Sequence, residues 1–101
     1  MSEPIPVVHI EFDKAANLGE VNNALLELNK SSKLGLNWLE SNSSPDESKW
    51  LIGLTVRDIS KFLNKLGSGK TLQASNGVNI TRIQNPRQWK EQNCRVYNGA
   101  P

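Results

Sequence analysis

The sequence is poor in the residues that build metal and redox sites: one cysteine, Cys94, and one histidine, His9, in 101 residues. A lone cysteine excludes an internal disulfide and fits a reducing compartment. No His/Cys/Asp/Glu group stands at metal-ligand spacing, so neither a metal nor another cofactor is expected. Long apolar runs are also missing. The chain opens Met-Ser-Glu-Pro, with an acid at Glu3, and no stretch reaches the length of a signal peptide or a membrane span. A cytoplasmic protein with no membrane partner is the expectation, and the sequons at Asn29, Asn42 and Asn79 then read as chance in an Asn-rich chain. Aromatic residues make up 6% and apolar residues 37%, which predicts a modest core. The length suits one domain: an α+β body over 1–83 and a basic C-terminal extension over 84–101, packed on that body or extending from it.

Charge is plentiful and unevenly divided. Residues 1–48 carry eight acids and three bases, for −5, while residues 49–101 carry nine bases and two acids, for +7, leaving +2 overall. Such a division points to an anionic partner for the basic half, or to self-association between unlike ends.

The pattern of apolar residues predicts the elements. Val8, Ile10 and Phe12 alternate with Val7, His9 and Glu11, the period of a half-buried strand with the first set inward. Asn17 stands three residues before Glu20, a capping arrangement, and Leu18, Val21, Leu25 and Leu28 follow at helical spacing over about 18–34, with Gly35 as the stop. Leu36 to Ser41 reads as a short strand, joined through a mobile loop to Ser48 with a clearer strand over Lys49 to Val56. There Trp50, Ile52, Leu54 and Val56 share one face and Leu51, Gly53 and Thr55 the other. Asp58 caps a second helix carrying the stripe Ile59, Phe62, Leu63 and Leu66. Lys70 to Ile83 is a hairpin, and a three-residue loop Ser75-Asn76-Gly77 is its preferred turn because it gathers Leu72, Ala74, Val78 and Ile80 on one face. Asn85 and Pro86 start a short helix to about Asn93, with an edge strand over Cys94 to Tyr97. The order β-α-β-β-α-β-β predicts a two-layer sandwich of ferredoxin-like type, an antiparallel sheet with two main helices on one face.

The chemical motifs are weak. Gly67-Ser68-Gly69-Lys70-Thr71 resembles the end of a phosphate-binding loop, but Asn64 stands where the first glycine belongs and the segment leaves a helix for a strand, so no nucleotide is expected. His9 shares a strand face with Glu11, yet no further positioned group supports a general base, and the chain is read as non-catalytic. The basic residues Lys61, Lys65, Lys70, Arg82, Arg87, Lys90 and Arg95, interleaved near the tail with Trp89 and Tyr97, fit single-stranded nucleic acid through charge neutralisation and ring stacking. Against this, Leu51, Gly53 and Thr55 stand on the central strand where a nucleic-acid-binding sheet carries aromatics. The open sheet face offers Val7, Leu39 and Leu51, ringed by His9, Glu11, Asn37 and Thr55, as a seat for a protein partner or a second copy. Trp89 and Tyr97 either anchor that interface or fold over it. The leading expectation is a small regulator, inhibitor or adaptor that binds a macromolecule through the sheet face and the basic C-terminal half. RNA or single-stranded DNA binding is the alternative.

Overall fold

The computed structural model describes residues 6–67 and 69–98, and for residues 31, 32 and 94–98 it describes the backbone alone. The elements run β1 (Val7–Asp13), α1 (Leu18–Ser32), β2 (Leu36–Ser43), β3 (Lys49–Val56), α2 (Ile59–Lys65), β4 (Thr71–Gln73), β5 (Asn79–Ile83) and α3 (Pro86–Asn98). The strands form one antiparallel sheet in the order β2-β3-β1-β5-β4. The fold is thus α+β, five strands with three helices.

β1 and β3 lie in the interior of the sheet, and their alternation is what fills the core. Val8, Ile10 and Phe12 pair in register with Leu54, Ile52 and Trp50, and all six are buried with Val21, Leu28, Phe62 and Leu66 from the first two helices. α1 starts where Asn17 Oδ1 accepts the Glu20 N–H at 3.0 Å, which satisfies one orphan donor of the first turn, while Glu20 Oε1 reaches back to the Ala16 N–H, just before the cap, at 2.9 Å. It ends at Lys33, which adopts the left-handed conformation (φ 52°) and returns its N–H to the Asn29 carbonyl, two residues before the glycine expected to stop it. The β4–β5 hairpin takes the three-residue loop. Leu72 faces Ile80, Ala74 N–H bonds to the Val78 carbonyl, and Gly77 supplies the positive φ of 89°. One carboxylate and one carbonyl of α1 hold this turn, with Glu27 accepting from the Ser75 N–H and hydroxyl and the Glu20 backbone carbonyl accepting from the Asn76 side chain.

Three expectations need correction. The link between β2 and β3 is shorter than expected, since β2 continues past Ser41 to Ser43, and Asp46 closes the turn by accepting from Ser44 Oγ (2.7 Å), Ser48 Oγ (2.8 Å) and Ser48 N–H (3.1 Å). Cys94 to Tyr97 is helix rather than edge strand, because no Gly or Pro interrupts the chain between Pro86 and Gly99 and α3 runs on to Asn98. Finally, the sheet is covered on both sides. Trp89 of α3 bonds to Glu11, which points away from the α1/α2 side of β1, so α3 adds a third layer to the expected two. Among the described residues no helix is long and apolar enough to cross a membrane.

The Asp46 turn has a pH signature. The Ser44 hydroxyl, then the Ser48 N–H and hydroxyl, lower its carboxyl from 3.8 to about 2. A depressed acid stabilises the fold above its unfolded value and loses that contribution as pH falls through the folded one. The urea midpoint should therefore drop between pH 3.8 and about 2, and Asp46→Asn should flatten that part of the profile; an unchanged profile would mean the turn does not depend on the charge.

Candidate functional site

The side of the sheet away from α1 and α2 is built from alternate residues in register. β1 supplies Val7, His9 and Glu11, opposite Thr55, Gly53 and Leu51 of β3. β2 continues the rows, with Asn37 beside Thr55, Glu40 beside Gly53 and Asn42 beside Leu51. Gly53 is the gap through which two of these strands communicate. A Cβ there would stand 2.9 Å from Glu40 Cγ and 3.4 Å from His9 Nε2. Without it, Glu40 and His9 meet across β3, Oε1 to Nε2 at 3.5 Å, and Lys90 Nζ of α3 comes within 3.9 Å of the same oxygen. The Glu40 side chain is 49% exposed, so solvent screens both pairs and their worth is small. His9 does not turn to Glu11, its neighbour on the same strand face.

Glu11 instead holds the third helix. Asn85 caps α3 through the Gln88 N–H at 3.0 Å, with Pro86 in the first helical position. One turn in, Trp89 is 4% exposed and its Nε1–H donates to Glu11 Oε2 at 2.8 Å. A charge-assisted bond of this kind is stronger than a neutral one, and the indole satisfies its single donor as it buries its rings. Leu51 on β3 is fully buried. The helix therefore closes much of the face that the sequence offered to a partner.

The residues expected to form one binding surface are thereby separated. Leu51 and Trp89 lie inside, His9 is half-buried beside Glu40, and Val7 and Leu39 stay more than half exposed. The side chains of Tyr97 and Arg95 lie outside the described residues. The basic residues divide as well. Arg82 faces the same side of the sheet as Ile80 and Ile10, the side on which α2 carries Lys61 and Lys65, while Arg87 and Lys90 belong to α3 on the other side. Lys61 lies 3.9 Å from its own helix cap, Asp58. Lys70 N–H closes a turn onto the Gly67 carbonyl between α2 and β4, the helix-to-strand direction in which a phosphate-binding loop does not run.

The feature that sequence reading missed is the outer edge of β2, which pairs with no second strand among the described residues. β4 ends the sheet on one side with three residues; β2 ends it on the other with eight. Between Trp38 and Glu40 the register with β3 shifts, which leaves Leu39 without an opposite residue. Trp38 is 38% and Leu39 54% exposed, side by side. The sequence held only a partial signal, two consecutive large apolar residues that cannot share one face of an alternating strand.

Comparison with family models, with curated proteins and with solved structures returns no match to this chain, so its functional reading rests on its own residues.

The closure by α3 is testable by stability. Trp89→Ala should cost about 3–5 kcal/mol in urea unfolding, the usual range for a buried large aromatic. Trp89→Phe, which keeps most of the packing and removes the donor to Glu11, should cost about 1–3 kcal/mol. A near-neutral Trp89→Ala would show that the helix does not cover the sheet in solution.

Proposed function

We propose that the chain is a small, non-catalytic cytosolic interaction protein whose docking element is the outer edge of β2, and that the strand it takes is the same edge of a second copy. The observation that carries this reading is the exposed Trp38–Leu39 pair on an eight-residue edge strand. An edge strand presents a row of backbone N–H and C=O groups, and natural sheets blunt such edges with lysine, proline, bulges or short strands; the bulge at Leu39 interrupts this eight-residue edge at one point only. β2 has neither lysine nor proline. Its one charge, Glu40, is drawn toward His9 and Lys90, so two copies of the strand laid antiparallel would not set bare like charges against each other. A two-fold pairing of identical strands is also the simplest closed assembly.

The non-catalytic part of the proposal is supported by His9, whose polar partner among the described residues is Glu40 and which meets no nucleophile among them. The ferredoxin-like reading of the sheet belongs to this proposal too: β4 would be an edge addition to a β2-β3-β1-β5 core, and such a fold carries no activity by itself. Nucleic-acid binding is the weaker reading, since Trp89 is buried and the basic side chains fall on both sides of the sheet.

Light scattering across a concentration series should give twice the chain mass for the wild type, and Trp38→Lys or Leu39→Lys should weaken association by about tenfold or more. Leu63→Lys, which alters a comparably exposed apolar residue on α2, should leave the mass unchanged. A monomer at every concentration, or a dimer insensitive to both β2 variants, would overturn the assignment.

A further inference from the structure

The acids and bases of the N-terminal half are used differently. Glu11, Glu20, Glu27, Glu40 and Asp46 all make hydrogen bonds or ion pairs within the fold. Two of its three lysines, Lys30 in the last turn of α1 and Lys33 at its C-cap, instead meet Arg57, from the end of β3, around a groove of about 720 Å³. None of the three cations stands within ion-pair distance of an acid among the described residues. The acid that lines the groove, Asp58, is turned back onto its own helix, with Oδ1 accepting the Lys61 N–H at 3.0 Å and Oδ2 lying 3.9 Å from Lys61 Nζ.

The arrangement is held by the backbone. Arg57 N–H bonds to the Gly35 carbonyl at 3.1 Å and Asp58 N–H to the Leu34 carbonyl at 3.2 Å, which ties the end of β3 to the exit of α1. Asn29 Oδ1 accepts from the Gly35 and Leu36 N–H groups, its NH₂ has no acceptor among the described residues, and Ser60 stands on the groove wall. Lysines at a helix C-terminus complement the helix dipole, which accounts for Lys30 and Lys33 alone. It does not account for an arginine brought to the same place by a different element.

We propose that this groove binds a phosphate-bearing small molecule, a site independent of the β2 edge. Three cations match the near-double charge of a phosphate monoester better than the single charge of a carboxylate. Arg57 would supply the planar fork that grips two phosphate oxygens, with Lys30 and Lys33 as point charges and the Ser60 hydroxyl and Asn29 amide as neutral donors. The volume is that of a small-molecule pocket, in the range of roughly 300–1,000 Å³, and larger than a bare anion needs. Ile59, half-buried on the groove wall, offers an apolar contact for the esterified group, while Leu34 beneath it belongs to the core. No aromatic residue among the described residues lines the groove, which disfavours a stacked nucleic-acid base.

The test is a titration of the full chain with phenyl phosphate at low ionic strength, followed by backbone amide NMR. The expected result is saturable shifts at Gly35, Arg57 and Ser60, with Arg57→Gln weakening binding by about tenfold or more. Lys33→Gly, which removes a charge at a position already left-handed, should also weaken it, whereas Lys61→Gln should not. The proposal is overturned by the absence of saturation at millimolar ligand, or by shifts spread equally over Lys61, Lys65 and Lys70 that survive Arg57→Gln. Inorganic phosphate binding as tightly as the ester would equally overturn it, by assigning the groove to a bare anion.

Discussion

The hydrogen bond from the Trp89 indole to Glu11 decides what the rest of the molecule presents to its surroundings. A five-stranded sheet packed on one side by two helices leaves its other side facing water, and here that side carries Leu51 from an interior strand. Burying one large apolar side chain is worth roughly 1.5–3 kcal/mol, and α3 does this for Leu51 and Trp89 together. Glu11 is half-buried between Leu51 of β3 and Thr81 of β5, and the indole N–H gives its carboxylate a partner there. Closing this face moves the exposed apolar surface to the rim of the sheet, where β2 carries Trp38 and Leu39.

The division of charge along the chain acquires a local explanation for five of the eight N-terminal acids, Glu11 among them. Glu20 caps α1, Glu27 pins the β4–β5 turn, Asp46 organises the β2–β3 turn and Glu40 reaches across Gly53 to His9. The acidic half is thus engaged in internal bonds, which do not require an outside cation. Bases have fewer such roles in this fold, and several remain on the surface. Where they converge from separate elements, as Lys30, Lys33 and Arg57 do, they define a site; where they fall on opposite sides of the sheet, as Lys65 and Arg87 do, they do not.

Much of the fold was legible because single residues carried strong local signals. The alternation of Val8, Ile10 and Phe12, the Asn17 and Asp58 caps, and the demand that Leu72, Ala74, Val78 and Ile80 share one face each had one consistent solution. The site was less legible because it depends on contacts distant in sequence. Trp89 and Glu11 are separated by 78 positions, and whether that indole covers the sheet or anchors an interface is settled only by three-dimensional packing. The stagger that exposes Leu39 arises from the pairing of β2 with β3, which no pattern within β2 alone specifies. The convergence of Arg57 on the exit of α1 likewise follows from backbone bonds between separated segments.

Hydrogen–deuterium exchange at low and high protein concentration tests most directly the central claim, that α3 closes the sheet face and leaves the β2 edge as the surface for association. The account predicts that amides of β2 between Leu36 and Ser43 gain protection as concentration rises, while those of β1 and the first turns of α3 are protected throughout. Concentration-dependent protection appearing on β1 or α3 instead, with β2 unchanged, would contradict it by showing that the sheet face itself is open and is the surface through which copies meet.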